Sequence, residues 1–299
     1  MDSKIKFWNP FTKSLDEEKV YGERWLKFTY NNPFGRIGLW GIVKRGWFSS
    51  WYGSKMNAPK SASKIAPFIE KYRLDKEEFL EPPHSFNSFN QFFFRKLKPN
   101  ARPISKDSNS IVFPADGRHL VLPDLSRTKN IYAKGQKFCL STLLGDLSLA
   151  EKFKNGSMVI SRLCPVDYHR FHVPCAGTIK SRTLINGFLY SVNPIALRKK
   201  ISVFWENKRY LTILQNEKVG DVLQLMVGAT CVGSVHWTSK IGDHLQMGNE
   251  QGYFSFGGSC VITIFPSSSI KFRADLCEKS SEGFETYGLM GEMMAKYSF

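Results

Sequence analysis

A serine that directly follows two glycines is the residue of this chain best suited to attack its own backbone. Ser259 follows Gly257 and Gly258 and precedes the apolar residues 261–265. Glycines give the backbone conformations that are closed to other residues, and they let a neighbouring group approach a peptide bond closely. The Ser259 hydroxyl can therefore be aimed at the carbonyl of Gly258. Gly-Gly-Ser before a strand is more often an ordinary turn, so this chemistry requires partners elsewhere in the chain.

Two upstream segments carry the acid and the base that a serine nucleophile requires. A hydroxyl is a weak nucleophile near neutral pH, so a base must accept its proton and an acid must orient that base. Asp116, one of His169 and His172, and Ser259 supply one of each in the chain order Asp, His, Ser. Such triads are recognised by geometry and not by order, so the sequence permits the arrangement. The ordinary alternative is a turn at Asp116 and two incidental histidines.

Six motifs in order extend this pattern from about Ser61 to the C-terminus. They are Phe89-Asn90-Gln91-Phe92-Phe93 with Arg95; Leu97-Lys98-Pro99 with residues 101–104; Pro114-Ala115-Asp116-Gly117; Asp167-Tyr168-His169-Arg170-Phe171-His172 with Pro174 and Gly177; Asn216-Glu217-Lys218-Val219; and Phe256-Gly257-Gly258-Ser259. Through these motifs the chain resembles the phosphatidylserine decarboxylases, self-processing pyruvoyl enzymes that form phosphatidylethanolamine. The chain departs from the family pattern at Cys260, where the family usually has threonine.

The resemblance implies a self-cleavage reaction. Asp116 would orient His172, and His172 would take the proton of Ser259. The Ser259 oxygen would attack the Gly258 carbonyl, convert the amide to an ester, and leave a pyruvoyl group after elimination and loss of ammonia. The proenzyme would become a heterodimer of its own products, residues 1–258 and residues 259–299.

The resemblance also implies how the pyruvoyl group acts on phosphatidylserine. The substrate amine would form a Schiff base with the ketone, which accepts electrons as CO2 leaves, the role that pyridoxal phosphate has in other enzymes. A general acid must then protonate the substrate α-carbon. We expect His169 to be this acid, because the resemblance gives His172 to the cleavage triad.

The spacing of the two histidines requires a bend. Residues three apart on an extended strand point to opposite faces of the sheet, so His169 and His172 can serve one site only if the segment turns. Pro165 and Asp167 are compatible with a turn. We therefore expect a bend that leads into a strand beginning near Phe171.

The patterning of apolar residues predicts an α+β fold, with a helical, aromatic-rich N-terminal part on a β-rich catalytic core. One helix is predicted by the apolar positions Ile65, Phe68, Ile69 and Tyr72. A second is expected to begin at Ser85 and to end before Pro99. From Ile111 onward, strands are predicted at residues 158–163, 178–184, 201–205, 209–214, 222–227 and 261–265. Asn155-Gly156 and Asn186-Gly187 are typical of hairpin turns.

The remaining histidines and the cysteines indicate no metal site. The six cysteines (139, 164, 175, 231, 260 and 277) lack Cys-x-x-Cys and zinc spacings, which is typical of free thiols in a reducing compartment. His84, His119, His236 and His244 are interpreted as structural. The first 20 residues lack a signal-peptide core, and no apolar run of the N-terminal region approaches the roughly 20 residues of a membrane span.

Residues 1–60 form a predicted membrane-associating region, and residues 61–299 the predicted decarboxylase domain. The net charge of +16 favours an anionic partner, either a membrane or nucleic acid. Five of the seven tryptophans (8, 25, 40, 47 and 51) lie in this N-terminal region, interleaved with basic residues. Indole rings and cations together suit the lipid headgroup layer, so we expect a peripheral protein on the cytoplasmic face and no nucleic-acid partner. The alternative is that these aromatic residues pack on the protein body. The sequence leaves a homo-oligomer open.

Three other functions fit parts of the pattern. A pyruvoyl decarboxylase of a soluble amino acid would have no use for a basic, Trp-rich region. A serine hydrolase is disfavoured because the Gly-x-Ser-x-Gly elbow is missing around Ser259. A non-catalytic basic module that binds membrane or nucleic acid would neither cleave itself nor release CO2.

Overall fold

The structure is a computed structural model that describes residues 5–18, 28, 32, 46–130, 139–197, 202–229, 235–257 and 259–298. Trp25 and Trp40, and with them most of residues 19–45, lie outside the described residues, as do Cys231 and Gly258. The expectations that rest on these residues are therefore not addressed by the structure.

The helical part of the chain precedes most of the strands. It contains α1 (Gly46–Asn57), α2 (Ile65–Tyr72) and α3 (Phe89–Phe93), joined by short 3-10 turns. Helix α2 confirms the predicted helix and buries Ile65, Phe68 and Ile69. The second predicted helix is shorter than expected because Ser85 lies in a separate 3-10 turn and Ser88 caps α3 through the Gln91 N–H. The two helices share an aromatic cluster with Phe256.

The later helices are short. They are α4 (Leu140–Leu144), α5 (Leu147–Phe153), α6 (Pro194–Leu197), α7 (Val203–Glu206) and α8 (Ala274–Ser281). Within the described part of the chain, no helix is both long enough and apolar enough to cross a bilayer.

The strands of the described residues form one large sheet and two small ones, which confirms the predicted α+β class. The large sheet has ten strands in the order β11-β7-β8-β9-β13-β5-β4-β15-β1-β2. Its members are β1 (Lys6–Asn9), β2 (Ser14–Glu17), β4 (Gly117–Leu122), β5 (Ser157–Leu163), β7 (Gly177–Ile185), β8 (Arg209–Asn216), β9 (Gly220–Val227), β11 (His244–Leu245), β13 (Ser259–Phe265) and β15 (Thr286–Gly288). The small sheets are β10-β12-β6 (Val235–Trp237, Glu250–Phe254, Arg170–His172) and β14-β16-β3 (Ile270–Phe272, Met293–Tyr297, Ser110–Val112).

Strand β13 lies between β9 and β5, and every one of its residues is buried. A strand that is buried on both faces has a nearly continuous run of apolar residues, and residues 261–265 form such a run. The strands that follow β13 are distributed over two sheets, since β15 pairs with β4 and β16 with β3. The C-terminal segment is therefore integrated into the body of the fold.

Three local expectations were wrong. Residues 203–206 form α7 and not a strand, because a short apolar run does not by itself distinguish the two. Asn155-Gly156 joins α5 to β5, and Gly156 is required there because a Cβ would lie 2.3 Å from the Phe265 carbonyl oxygen. Asn186-Gly187 begins a longer connection that contains α6 and α7, instead of a tight hairpin.

The described N-terminal strands pack on the body of the protein. Strand β1 pairs in parallel with β15, and β2 pairs with β1 at the edge of the large sheet. Phe7 is buried, with its ring 6.1 Å from that of Tyr287 and 4.9 Å from the Arg118 guanidinium. Residues 5–18 of the predicted membrane-associating region therefore contribute to the main sheet.

Candidate active site

Ser259 is the first residue of β13, and its side chain is completely buried. Its place is fixed by antiparallel pairing with Leu163 of β5. The hydroxyl oxygen lies 3.2 Å from Nδ1 of His169. The structure thus places one of the two predicted histidines against the predicted nucleophile.

The bend that the sequence predicted brings His169 to this position. Residues 165–167 form a turn, His169 follows it in an irregular segment, and β6 begins at Arg170, one residue before the predicted start. The prediction of a turn followed by a strand is confirmed.

The tautomer of His169 follows from its second contact. Nε2 lies 2.9 Å from the carbonyl oxygen of Cys164, which can only accept a hydrogen bond, so Nε2 carries the proton. Nδ1 is then unprotonated and accepts the hydrogen bond of the Ser259 hydroxyl. Burial lowers the pKa of His169 to about 3, and the positive charge of Arg95 acts in the same direction, whereas the bond to Cys164 opposes it. His169 is therefore neutral at pH 7, in the form that accepts a proton.

The turn that carries the Cys164 carbonyl is held by a buried carboxylate. The Asp167 side chain accepts a hydrogen bond of 2.6 Å from the Cys164 N–H and forms an ion pair with Arg118. The Asp167 N–H in turn donates to the Cys164 carbonyl over 2.9 Å. These contacts fix the acceptor that orients His169, so a backbone carbonyl has here the orienting function that a triad carboxylate has elsewhere.

Helix α3 supplies one wall of the site. The Phe93 ring stacks on the His169 imidazole with centroids 3.9 Å apart. Arg95 is buried just beyond it, between the rings of Phe79 and Phe92. Its guanidinium donates two long bonds of 3.4 Å, to the carbonyls of Phe92 and Val166, and its Nε has no hydrogen-bond partner within the described ranges. Burial lowers the pKa of Arg95 to about 10.

Asp116 is buried, and its hydrogen-bond partners among the described residues include neither histidine. Both of its oxygens accept from Nε of Arg102, at 3.0 and 2.8 Å, and one also accepts from the Met290 N–H at 2.9 Å. Arg102 in addition pairs with Glu78 at 2.9 Å. Burial raises the pKa of Asp116 above its ordinary value, although the bonds from Arg102 and Met290 oppose this rise.

His172 is oriented by a different carbonyl. Its Nδ1 lies 2.9 Å from the Gly248 oxygen, so Nδ1 carries the proton and Nε2 is the accepting nitrogen. Among the residues that the structure describes, the buried Nε2 has no hydrogen-bond partner. Burial lowers the pKa of His172 to about 4.

The hydrogen-bonded series expected from Asp116 through His172 to Ser259 is therefore not formed among the described residues. Its members are all buried in this part of the molecule, but Asp116 is bound by Arg102, and it is His169 that contacts Ser259. The physical reason is that a buried carboxylate is best compensated by a guanidinium, and Arg102 supplies one.

Sequence reasoning missed the groups that orient His169 and the group that binds Asp116. The Cys164 carbonyl belongs to the backbone and has no sequence signal. Phe93 and Arg102 lie within the recognised motifs, but nothing in their spacing indicates contacts with residues 76 and 14 positions away along the chain. No group of histidine, cysteine, aspartate or glutamate suited to a metal ion occurs among the described residues.

Of the residues next to Ser259, the structure describes Gly257 and Cys260. Gly257 has φ = 136°, a conformation that side chains disfavour. Gly258, the other side of the predicted cleavage site, lies outside the described residues. Cys260 is buried in the apolar cluster of the large sheet, and alternation along β13 directs it away from the Ser259 side. Cys260 therefore packs in the core and does not share the site.

Comparison with known proteins places these residues in a family. The family model for phosphatidylserine decarboxylase matches residues 89–292, which include Asp116, His169, His172 and Ser259. The chain belongs to the phosphatidylserine decarboxylase family. The match begins where α3 begins and ends one residue before β16.

Full-length relatives extend this assignment over nearly the whole chain. A phosphatidylserine decarboxylase proenzyme of Fusobacterium nucleatum is 42% identical over 289 residues, which cover 97% of this chain and 96% of that protein. The proenzyme of Clostridium kluyveri is 42% identical over 288 residues, covering 96% and 97%. That of Clostridium tetani is 42% identical over 293 residues, covering 98% of each chain. The family resemblance read from the six motifs is thus confirmed.

Proposed function

We propose that this protein is a carboxy-lyase that converts phosphatidylserine to phosphatidylethanolamine with a pyruvoyl group made from its own Ser259. The observation that carries the proposal is the buried Ser259 hydroxyl, 3.2 Å from the unprotonated nitrogen of a neutral histidine and directly after two glycines. The name proenzyme, given to its relatives, supports maturation by cleavage.

Self-processing converts the peptide bond between Gly258 and Ser259 to an ester, and elimination then leaves a ketone at the new chain end. A histidine takes the proton of Ser259, the oxygen attacks the Gly258 carbonyl carbon, and the C–N bond breaks as the nitrogen receives that proton. Loss of the Ser259 α-proton then expels the Gly258 carboxylate and leaves a dehydroalanine. Its imine tautomer takes up one water and releases ammonia, so a ketone terminates the new chain.

The surroundings of Ser259 suit such a group. The side chain is excluded from solvent and adjoins a neutral histidine, and its strand is hydrogen-bonded on both sides. The pyruvoyl ketone would supply the electron sink for decarboxylation. The buried residues around Ser259 would exclude water, and Nδ1 of His169 would first accept a proton from the substrate ammonium and then deliver it to the substrate α-carbon.

The two products are expected to remain together after cleavage. Residues 259–265 form a central strand between β5 and β9, and the segments beyond pair with β4, β1 and β3. Each of these strand pairings joins a residue before the cleavage point to one after it, and none of them is the peptide bond that breaks. Cleavage therefore leaves the pairings between the two products in place. This supports a heterodimer of residues 1–258 and 259–299.

We assign to His169 the proton transfers at Ser259, both as base in cleavage and as acid in decarboxylation. The tautomer fixed by Cys164 supports the role as base, and the contact between the two side chains supports a proton transfer at this position in both stages. The division expected from the sequence, with His172 serving cleavage, is the second candidate. The observation that favours it is the buried Nε2 of His172, which has no hydrogen-bond partner in the described part of the chain and can accept a proton.

Peripheral attachment to the cytoplasmic face of an anionic membrane is proposed for access to a lipid substrate. Trp51 of α1 is 49% exposed, and the Lys55 ammonium lies 3.8 Å from its ring centroid. An indole and a cation on one exposed helical turn suit the headgroup layer, and the net charge of +16 adds long-range attraction.

The test is the intact mass of the denatured protein beside that of Ser259→Ala, followed by a decarboxylation assay. We expect two chains divided between residues 258 and 259 in the wild type, with a keto group at the start of the shorter one, and a single chain in Ser259→Ala. CO2 release from phosphatidylserine vesicles, and none from free serine, excludes the soluble amino acid as substrate. One uncut chain in both folded proteins would refute the proposal and favour a non-catalytic membrane-binding module.

A further inference from the structure

The two glycines before Ser259 connect two anchored points of the structure. On one side, the Phe254 N–H donates to the His169 carbonyl over 3.0 Å. Two residues later, the Phe256 N–H donates to Oδ1 of Asn90 over 2.8 Å. On the other side, Ser259 is held in β13. Only Gly257 and Gly258 separate the anchored Phe256 from the anchored Ser259.

The side chain of Phe256 is held as firmly as its backbone. The ring is buried in the aromatic cluster of the helical part. Its centroid lies 4.9 Å from that of Phe93, 5.3 Å from that of Phe89 and 5.9 Å from that of Tyr52. The helices therefore fix the point at which the chain enters the Gly-Gly connection.

Asn90 is the polar part of this anchor, and both ends of its amide are bonded. Its oxygen accepts from Phe256, and its nitrogen donates to Oδ1 of Asn57 over 2.6 Å. Asn57 is the last residue of α1, and Asn90 lies in α3 and is buried. With one donor and one acceptor engaged in opposite directions, the amide can take only one orientation.

We propose that Asn90 is a positioning residue for self-cleavage, which holds the Phe256 end of the Gly257–Gly258 connection so that the Gly258 carbonyl meets Ser259. The inference rests on the proposed self-processing. The attacked bond lies only two residues beyond Phe256 in the sequence, so the position of Phe256 limits where that bond can lie, and small displacements from a reactive geometry cost large factors in rate. After cleavage β13 alone holds the new chain end, so decarboxylation no longer depends on Asn90.

Two substitutions separate positioning from packing. Asn90→Leu keeps the volume but removes the acceptor, and we expect cleavage to slow at least ~10-fold, equivalent to about 1.4 kcal/mol in the barrier. Asn90→Asp keeps an oxygen for the Phe256 N–H, so we expect it to cleave faster than Asn90→Leu. A packing role predicts the reverse order, because a buried carboxylate is less well tolerated than leucine.

The measurement is the appearance of the 259–299 chain over time after a pulse of synthesis, followed by CO2 release per mole of processed chain. Processed Asn90→Leu is expected to decarboxylate within about twofold of the wild type, because the two rates depend on different contacts. Asn207→Leu is the matched control. This asparagine is also buried, and its amide bonds the carbonyls of Tyr190 and Gly228 at 2.8 Å, away from the cleavage segment.

The outcomes distinguish this inference from the proposed function. Absence of cleavage in the wild type would refute the proposed function itself. Wild-type cleavage with an unchanged rate in Asn90→Leu, or equal slowing in Asn90→Leu and Asn207→Leu, would overturn only the role of Asn90. Melting temperatures in the uncut Ser259→Ala background report folding. If Asn90→Leu does not fold, the test uses Asn57→Ala, which removes the oxygen that holds the Asn90 amide in its orientation. A wild-type cleavage rate in Asn57→Ala would also overturn the proposal.

Discussion

The ring of Phe93 lies flat against the imidazole of His169, with centroids 3.9 Å apart and planes inclined by 26°. Phe93 belongs to the helical part of the chain and His169 to the segment that enters β6. Stacking closes one face of the imidazole, while Cys164 and Ser259 engage its two nitrogens. The helical part thus restrains the ring that faces Ser259.

Replacing Phe93 by leucine is expected to slow self-cleavage by about an order of magnitude, because the imidazole loses the flat surface that restrains it and near-attack geometry is lost. Stability should fall by about 1–3 kcal/mol, as for other losses of buried volume. Cleavage rate by gel analysis and urea unfolding of the Ser259→Ala form measure the two effects. Phe153→Leu, at a fully buried phenylalanine in the core beneath the large sheet, is the control. Equal slowing of cleavage in both variants would show that stacking on His169 has no special importance.

Substitution of the two histidines one at a time tests the assignment of proton transfers. If His169 serves both stages, His169→Ala remains uncut and His172→Ala is cleaved. If the division predicted from the sequence holds, His172→Ala remains uncut, and His169→Ala is cleaved but decarboxylates poorly. A loss of about 10²–10⁴ in rate is typical for removal of a general acid or base.

Intact mass after a fixed incubation and CO2 release per processed chain distinguish these patterns. His119→Ala is a useful control, since His119 is buried as well but bonds to Ser161 and stacks on Phe113. Cleavage in both His169→Ala and His172→Ala at the wild-type rate would contradict both assignments.

The sequence predicted the bend before His169 because its causes are local. Proline and aspartate favour a turn through their own backbone preferences, and the alternation of β6 begins immediately afterwards. Helix α2 was predictable for the same reason, since Ile65, Phe68 and Ile69 define one buried face.

The partner of Asp116 could not be predicted, because it depends on tertiary contacts. Arg102 and Asp116 lie in different motifs, and only the fold brings the guanidinium to the carboxylate and the Met290 N–H to the same oxygen. Similarly, the carbonyls that fix the tautomers of His169 and His172 belong to Cys164 and Gly248, whose side chains carry no signal for this function.

Three buried histidines predict that the fold loses stability as the solution becomes mildly acidic. Burial lowers the pKa of His119 and His169 to about 3 and that of His172 to about 4, from an ordinary value of 6.5. Between pH 6.5 and these values the unfolded chain binds protons that the folded protein excludes, so the free energy of unfolding falls as the pH falls. Each histidine contributes up to about 1.4 kcal/mol per pH unit in this window.

Urea unfolding of the Ser259→Ala form between about pH 6.5 and pH 5 measures this slope. His119→Asn should make the slope shallower, because it removes a buried imidazole whose pKa burial lowers to about 3. A slope that stays the same in His119→Asn would indicate that His119 binds protons equally in the folded and unfolded protein.

A buried ion cluster joins the N-terminal strands, the central sheet and the C-terminal segment. Arg162 of β5 bonds to Glu18, which follows β2, at 2.6 Å and to Glu285, which precedes β15, at 2.5 Å. Burial raises the pKa of Glu18, but the charge and hydrogen bond of Arg162 outweigh it and lower the pKa to about 2. The carboxylate is therefore ionised at neutral pH and compensates a guanidinium that is itself fully buried.

Glu18→Gln is expected to destabilise the protein by about 3 kcal/mol, because removing one partner leaves part of a buried charge uncompensated. Glu77→Gln is the matched control: its 3.8 Å contact with Lys98 lies at the surface, so the loss should stay below about 1 kcal/mol. Urea unfolding at neutral pH measures both in the Ser259→Ala background. Since Glu285 belongs to residues 259–299, Glu18→Gln should also let the processed chains separate at lower urea than the wild type. Equal stability losses in the two variants would show that the cluster stabilises the fold no more than a surface pair.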